Sequence, residues 1–443
     1  MRYDLKITGK RLAIAAALAV AAPFAVSYSG LVSIAANTGH YAPVEWFLHW
    51  TMQNSVARQS LGIAVPEEID LADNALVRRG AGHFATGCAP CHGGPGDAQS
   101  PVVLSMMPWP PRLETKVGEW KDRELFWIGQ HGIKYSGMPS WTTQNREDEV
   151  WAMVAFLRAL PQMTPETYAD LALGGGPNEA LVPNAGAPAA GVAPGADGAV
   201  PAAPVASGAP AMPSDPTTRI ALADCARCHG FDGRGRGGDG AFPVIAGQTP
   251  AYLLASLKAY AQDTRHSGYM EPAAARYDET VLAALADWYG AQPVEASAGA
   301  VTLDDGLAST TPLPAADGIP AQIMPAASLS ENALPEALGE DGGRTQGEER
   351  LALGELIATR GLAARKIPAC ISCHGESGRA RNAMTPYLGG QPEWYLRTHL
   401  ELFKEELRGG TGAAHLMTEF MPNMTEEQIE AVSAWYAEQP LGR

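Results

Sequence analysis

The stretch "CAPCHG" at residues 88–93 returns as "CARCHG" at 225–230 and as "CISCHG" at 370–375. Each copy places two cysteines and a histidine within five residues, and cysteine occurs at no other position in the chain. Six cysteines in an exported protein usually form a disulfide framework, but three closely spaced pairs, each followed by histidine, fit that arrangement badly. The repeats therefore indicate one kind of chemical site that is made three times.

The spacing Cys-x-x-Cys-His is the attachment signature of c-type heme, in which the two thiols add to porphyrin vinyl groups and the histidine becomes an iron ligand. A zinc site would require a second pair of ligands near each motif, and a thioredoxin-like redox site would require a preceding strand. The sequence offers neither, so we expect three covalently bound heme c groups. The predicted attachment residues are Cys88, Cys91, His92, Cys225, Cys228, His229, Cys370, Cys373 and His374.

Electron-transfer cytochromes usually complete the iron coordination with a methionine sulfur, which raises the reduction potential. Met270 and Met417 occupy equivalent repeat positions, since a Trp-Tyr pair follows each of them after the same interval. In the first unit, Met138 lies in "GMP", just before the predicted closing helix. The predicted iron ligands are thus His92, Met138, His229, Met270, His374 and Met417, and no catalytic residue is predicted.

Several other residues compete for the second axial position. His131 is the rival of Met138 in the first unit, while Met106 and Met107 follow the first motif too closely to reach the far face of a heme comfortably. Met421 and Met424 are the rivals of Met417, but their positions correspond to Ala274 and Tyr277 in the second unit, so we interpret them as helix packing.

A proximal histidine normally donates its second ring proton to a backbone carbonyl, which fixes the tautomer and makes the other nitrogen more basic. Pro243 and Pro386 stand at equivalent positions of the repeat, and Pro111 is the best match in the first unit. We expect the carbonyls of these three prolines to be the acceptors, although plain turn prolines are an equally good interpretation.

The N-terminus contains a candidate membrane anchor. Four basic residues precede an uncharged run from Leu12 to Ala36, which as a helix would span roughly 37 Å. A cleaved signal peptide is the alternative, since "SIA" before Ala36 resembles a cleavage site. The length of the run and the following Trp46 and Trp50 favour an uncleaved anchor with an interfacial helix, and the charge distribution places the N-terminus in the cytoplasm.

Composition divides the rest of the chain. We predict an anchor with an interfacial helix at 1–60, then domain 1 (66–173), a Pro/Ala/Gly-rich linker (174–215), domain 2 (216–294), a second linker (295–343) and domain 3 (344–443). The patterns between the linkers are helical, with almost no strand signal. The expected fold class is all-α, with three tandem heme domains and one N-terminal transmembrane helix. The net charge of −16, from 48 acidic and 32 basic residues, argues against nucleic acid as a partner.

On these motifs the chain resembles the class I cytochrome c family over roughly residues 72–163, 216–292 and 344–440. The last two regions are similar to tandem diheme cytochromes c, whose pattern of His, Pro-x-x-x-Gly-Gln and Met is matched twice. The matching residues are His229, Pro243, Gly247, Gln248 and Met270, then His374, Pro386, Gly390, Gln391 and Met417. Domain 1 lacks the Gly-Gln element, and domain 2 has only a short helix before its motif.

The layout also resembles the triheme cytochrome subunits of membrane-bound dehydrogenases. That resemblance implies a bacterial inner-membrane protein with its heme domains in the periplasm, transferring electrons between a dehydrogenase subunit and quinone or a terminal oxidase. The expected role is electron transfer and not catalysis. The alternatives are a peroxidase-type heme enzyme, which requires an open iron position, an electron donor to a terminal oxidase, and an assembly subunit that holds an enzyme at the membrane.

Overall fold

The computed structural model of the chain describes residues 8–35, 38–173, 210–294, 345–375 and 382–441. The predicted linkers at 174–215 and 295–343 lie outside these ranges, except for residues 210–215. The described ranges form helices and turns, with two isolated β-bridges and no extended strand. This agrees with the predicted all-α class.

Two N-terminal helices precede the heme domains. Helix α1 spans Gly9–Ser29 and α2 spans Ala42–Gln59. The predicted apolar span from Leu12 to Ala36 was wrong at both ends, because α1 begins before it and stops at Gly30, whose φ of 67° is left-handed and cannot continue the helix. At 21 residues, α1 remains long enough to cross a bilayer, and Pro23 lies inside it as expected.

Domain 1 contains seven short or medium helices. They are α3 (Asn74–His83), α4 (Ala89–His92), α5 (Pro101–Leu104), α6 (Leu113–Lys116), α7 (Asp122–His131), α8 (Glu147–Ala159) and α9 (Pro165–Tyr168). Its core forms where α3 crosses α8. Gly80 permits this crossing, since a Cβ there would lie 2.2 Å from the carbonyl oxygen of Ala152. Two π-helical turns, at Phe84–Cys88 and Ala169–Leu173, and two 3-10 turns, at Val117–Glu119 and Leu160–Gln162, complete the domain.

Domains 2 and 3 repeat one plan. In domain 2 the helices are α10 (Pro216–His229), α11 (Pro250–Ala261), α12 (Met270–Ala274) and α13 (Glu279–Gly290). In domain 3 they are α14 (Gln346–Arg360), α15 (Ile371–His374), α16 (Glu393–Lys404), α17 (Ala414–Phe420) and α18 (Glu426–Glu438), with 3-10 turns at Ala363–Arg365 and Met421–Asn423. Each domain has its own cluster of buried apolar side chains. The heme motifs therefore sit at the ends of helices that these cores hold in place.

Candidate heme-binding sites

All three motifs have the same local backbone. In each motif the second cysteine and the histidine lie in an α-helix that ends at the histidine, and the next residue is always glycine; the first cysteine is in the helix in domain 2, in the preceding π-helical turn in domain 1 and at the N-cap in domain 3. Gly93, Gly230 and Gly375 adopt φ values of 74°, 73° and 80° with ψ between 160° and 175°, a region open only to glycine. The chain therefore leaves the helix directly behind each imidazole.

The three histidines share one hydrogen bond. The Nδ1 atoms of His92, His229 and His374 lie 2.8, 3.2 and 2.9 Å from the carbonyl oxygens of Pro111, Pro243 and Pro386 respectively. Since a carbonyl can only accept, the proton is on Nδ1 and the lone pair is on Nε2. This confirms the predicted role of the three proline carbonyls, and it leaves the Nε2 lone pair of each ring available to a metal.

Burial reinforces this assignment. The three imidazoles are 7–9% exposed, and burial lowers the pKa of each, an effect that the hydrogen bond to the proline carbonyl opposes. The rings are consequently neutral at physiological pH, which is the form that binds a metal. Two thiols, a neutral imidazole and a glycine turn, repeated three times, fit heme c.

The cysteine environments disfavour a thiol redox site. No two of the six cysteines form a disulfide. Burial raises the pKa of Cys88, Cys225 and Cys370 to about 12 and that of Cys228 to about 11. Reactive redox cysteines have a lowered pKa, so these pairs do not have the electrostatics of a disulfide oxidoreductase.

The predicted methionine ligands occupy one structural position in all three domains. Met138, Met270 and Met417 each lie nine residues before the first residue of the closing helix, which is Glu147, Glu279 and Glu426 in turn. Met270 and Met417 are on the short helices α12 and α17, whereas Met138 is in a loop. The structure thus reproduces the repeat alignment and extends it to domain 1, and sulfur-to-iron coordination itself stays a prediction.

The rival residues differ in their surroundings. Met421 and Met424 are buried in the core of domain 3, in keeping with the packing role expected of them, and Met417 packs at the edge of that core. His131 is exposed at the end of α7. The methyl group of Met106 packs against Gly137, next to Met138, so Met106 is nearer to the candidate ligand than its sequence position suggests.

A buried carboxylate that sequence reasoning missed joins domains 1 and 2. Glu149, 2% exposed, pairs with Arg146 at 3.0 Å and accepts hydrogen bonds from the Trp141 indole at 3.2 Å and from the Ser267 hydroxyl and the Gly268 N–H at 2.6 Å each. Trp141 follows Met138 in its loop, and Gly268 precedes Met270 by two residues. A single side chain therefore contacts both methionine-bearing loops.

An aromatic cluster fills the same junction. The rings of His83, Trp141 and Tyr269 contact one another, with centroid separations of 4.7 Å for His83–Trp141, 4.8 Å for His83–Tyr269 and 5.9 Å for Trp141–Tyr269. The Tyr269 hydroxyl donates to the backbone carbonyl of Glu149 at 2.8 Å. No sequence pattern links these residues, because only the docking of two domains brings them together.

Domains 2 and 3 meet through a reciprocal pair of glutamines. Gln248 hydrogen-bonds the backbone of Tyr387, and Gln391 hydrogen-bonds the backbone of Val244. The sequence signalled both glutamines through the repeated Gly-Gln element, but it gave no indication that each side chain crosses into the other domain.

Comparisons with known proteins agree with this architecture. The family described as "Cytochrome C oxidase, cbb3-type, subunit III" matches residues 75–157, and the family described as "Cytochrome c" matches residues 217–287 and 360–438. Each of the three matched segments contains one of the cysteine-histidine motifs.

Individual relatives are electron carriers by name. The chain is 28% identical over 219 residues to the thiosulfate dehydrogenase electron acceptor of Thiomonas intermedia (strain K12), covering 49% of this chain and 80% of that protein. It is 28% identical over 227 residues to cytochrome c-552 of Acidithiobacillus ferridurans, covering 50% and 75%. A solved structure of Acidithiobacillus ferrooxidans cytochrome c4 is 26% identical and covers 48% of this chain and 98% of that one, with a TM-score of 0.32.

The family matches imply covalently bound heme c, and the relatives' names imply electron transfer and not an enzymatic reaction. The repeated motif, the buried neutral imidazoles and the helical domains lead to the same conclusion. The chain belongs to the class I c-type cytochromes.

Proposed function

We propose that this protein is a membrane-anchored triheme cytochrome that relays electrons from a periplasmic or membrane-bound dehydrogenase towards quinone or a terminal oxidase. The observation that carries the proposal is the threefold occurrence of one geometry: a buried histidine whose Nδ1 faces a proline carbonyl, behind a cysteine pair. Heme supplies one-electron chemistry, and the protein supplies attachment, axial ligands and electrostatics.

The axial ligands in this proposal are His92 with Met138, His229 with Met270 and His374 with Met417. The common nine-residue offset of the methionines from the closing helices supports the assignment. Iron with two protein ligands has no open position for a substrate, so the chain carries electrons and does not perform peroxidase chemistry. The exposure of His131 is in keeping with this assignment.

Domain 2 contacts both of the other heme domains, through different segments. On its methionine side, the loop before Met270 is bound to domain 1 through Glu149. On its histidine side, the peptide after Pro243 is bound to domain 3 through Gln391. Domain 1 also contacts domain 3 directly, because Arg79 stacks on Trp394 and Glu68 pairs with Arg397, so each heme domain of the proposed relay adjoins both of the others.

The N-terminal helices support attachment to a membrane. None of the apolar window in α1 is buried against the rest of the protein. The Trp46 and Trp50 rings of α2 are 67% and 50% exposed and stack with centroids 6.1 Å apart. Exposed tryptophans next to a lipid-length apolar helix suit the bilayer interface, with the heme domains on the periplasmic side of the inner membrane.

The names of two relatives support a dehydrogenase as the electron donor. The proteins of Thiomonas intermedia and Stutzerimonas stutzeri (strain A1501) are both called thiosulfate dehydrogenase electron acceptors. Their identity to this chain, 28% in both cases, covers about half of it. We therefore propose the class of donor and leave its substrate open.

The test begins with expression in a host that has the heme-attachment machinery, followed by membrane fractionation. Extraction with acidified acetone removes non-covalent heme, and the mass of the remaining polypeptide gives the number of attached groups. We expect three, together with a low-spin spectrum and a chain that stays in the membrane after an alkaline wash. Replacing Cys370 and Cys373 by Ala should reduce the count to two. A native count below three, or a high-spin iron that binds cyanide readily, contradicts the proposal.

A further inference from the structure

The Gly-Gln element of domains 2 and 3 has no part in heme attachment, yet both glutamine side chains are buried, at 4% exposure for Gln248 and 5% for Gln391. The preceding glycines, Gly247 and Gly390, adopt left-handed φ values of 65° and 72°. Their N–H groups donate to the carbonyls of Tyr289 and Tyr436, at 3.0 and 3.1 Å. Each glutamine is therefore fixed to a closing helix of its own domain.

Both side chains then point into the neighbouring domain. The Oε1 atom of Gln391 accepts from the Val244 N–H at 3.0 Å, and its Nε2 donates to the Val244 carbonyl at 2.6 Å. The Oε1 of Gln248 accepts from the Tyr387 N–H, and its Nε2 donates to the Tyr387 carbonyl, both at 2.9 Å. Two bonds to one backbone residue fix both the position and the orientation of that residue.

The peptide group that each glutamine holds is the one that orients a proximal histidine. The N–H of Val244 belongs to the same peptide as the carbonyl of Pro243, which accepts from His229 Nδ1. The N–H of Tyr387 likewise shares a peptide with the carbonyl of Pro386, the acceptor for His374. A hydrogen bond at the N–H of a peptide polarises its carbonyl and makes it a better acceptor.

The surrounding interface follows the same pseudo-twofold arrangement. Arg265 of domain 2 donates to the hydroxyl of Tyr395 in domain 3, and Arg408 of domain 3 donates to the hydroxyl of Tyr252 in domain 2, both at 3.3 Å. The two arginines also form an antiparallel bridge. The two glutamine contacts and the two arginine–tyrosine contacts are related by the same pseudo-twofold axis. The domains therefore dock in one specific orientation.

We propose that Gln248 and Gln391 are positioning residues that act across the interface, each strengthening the hydrogen bond of the proximal histidine in the other domain. This inference rests on the proposed function, in which His229 and His374 bind iron. A stronger acceptor gives the imidazole more anionic character, which stabilises ferric over ferrous iron and lowers the reduction potential. The potential of each heme is thus set partly by a residue of the neighbouring domain. In domain 1, Thr115 and Lys116 stand at the positions after Pro111 where the other domains have Gly-Gln, and the Gly129-Gln130 pair lies in α7, where Gln130 hydrogen-bonds Gln144 of the same domain.

The test uses the full-length holoprotein with Gln391→Leu and Gln248→Leu as matched variants. A redox titration followed by NMR of the heme methyl groups resolves each heme, with assignment from contacts to the thioether bridges of Cys225 and Cys228 or of Cys370 and Cys373. We expect Gln391→Leu to raise the potential of the domain 2 heme, and Gln248→Leu to raise that of the domain 3 heme. The equilibrium constant for electron exchange between these two hemes should change in one direction in Gln391→Leu and in the opposite direction in Gln248→Leu, on the order of tenfold in each variant.

A third variant controls for loss of a buried amide. Gln292 is 5% exposed, and its Nε2 donates to the Trp288 carbonyl within domain 2. Gln292→Leu should leave the domain 3 heme unchanged. If Gln391→Leu does not fold, Gln391→Asn keeps a polar side chain that is one methylene too short for Val244, and the same crossed shift is expected.

Three results overturn the proposal: a shift confined to the heme of the mutated domain, equal shifts of both hemes, or no shift in either. Failure of the proposed function would look different, because the native protein would then lack three sets of heme methyl signals or would carry them on iron without histidine ligation.

Discussion

Ser267 of domain 2 donates a hydrogen bond of 2.6 Å to the carboxylate of Glu149 in domain 1. At the equivalent third position of their closing helices, domains 2 and 3 have Val281 and Gln428, and Gln428 caps its own helix. Glu149 is thus specific to the junction between domains 1 and 2. Burial raises the pKa of the Glu149 carboxyl, whereas the positive charge of Arg146 lowers it. The ion pair and the hydrogen bonds therefore offset the cost of burying this carboxylate.

Replacing Glu149 with Ala should destabilise this junction, because Arg146 loses a buried partner and Ser267 loses its acceptor. Arg146 keeps its two hydrogen bonds to Asp148, so the cost is that of the buried hydrogen bonds left unmade, about 1–3 kcal/mol, and the first thermal unfolding transition should occur at a lower temperature. We also expect the sulfur-to-iron absorption band to weaken at the hemes of domains 1 and 2, since both methionine loops are released, and to persist at the heme of domain 3.

The exposed neighbour Glu147 provides the control. Glu147→Gln should change the free energy of unfolding by less than about 0.5 kcal/mol and leave all bands intact. If Glu149→Ala leaves both methionine bands and the first transition unchanged, Glu149 does not hold these loops.

The methionine assignment in domain 3 can be separated from packing. Met417→Ala should remove the sulfur-to-iron band from one heme of three and leave the covalent heme content unchanged. Met421 is fully buried in the domain 3 core, so Met421→Ala should cost about 2–5 kcal/mol of stability through a cavity and keep the band. Loss of the band in Met421→Ala, with retention in Met417→Ala, would reverse the assignment.

The sequence predicted the parts of each site that depend on one domain. The motif spacing identified His92, His229 and His374, and the repeat placed Pro243 and Pro386 correctly as acceptors. Pro111 was found by the same physical requirement, although it lies 19 residues after its histidine and Pro386 only 12. A proximal imidazole needs a carbonyl at hydrogen-bonding distance, and this local need constrains the sequence strongly.

Contacts between domains were beyond sequence reasoning. A buried glutamate on the closing helix, such as Glu149, has the pattern of an ordinary first-turn acid, which stabilises a helix N-terminus. The glutamines Gln248 and Gln391 match a family pattern, but their partners depend on the relative orientation of two domains. The end of α1 at Gly30 was also missed, because the uncharged run continues beyond the residue that terminates the helix.

The proposed N-terminal anchor should determine whether the protein is found in the membrane or in the soluble periplasmic fraction. If residues 1–60 are replaced by a cleavable signal sequence, the protein should be recovered from the soluble periplasmic fraction with all its hemes, since α1 is not buried against the heme domains. The intact mass of the native protein should include α1. Val56 in α2 is 1% exposed, so replacing residues 1–60 also removes a buried side chain. If that chain is unstable, a truncation that begins at residue 54 and keeps Val56 is the better control. A native chain that is already soluble and lacks α1 would identify the segment as a signal peptide.

His83 gives the protein an acid sensitivity at the junction of domains 1 and 2. Burial against Trp141 and Tyr269 lowers the pKa of this histidine to about 4, from an ordinary 6.5. Between these two pH values the unfolded chain binds a proton that the folded chain does not, so stability falls on acidification across this window, by at most about 3 kcal/mol. His83→Phe keeps the ring contacts and removes the titration, and it should therefore lose less stability than the native protein between pH 7 and pH 4.5.

The measurement is the guanidinium midpoint at both pH values, followed by tryptophan fluorescence, with the exposed His415→Phe as the control that keeps the native pH dependence. Phenylalanine is chosen because it keeps an aromatic ring in contact with Trp141 and Tyr269, whereas a smaller residue would add a cavity and obscure the proton linkage. If His83→Phe and the native protein lose equal stability on acidification, another group is responsible for the acid sensitivity, and the pKa of His83 is the same in the folded and unfolded protein.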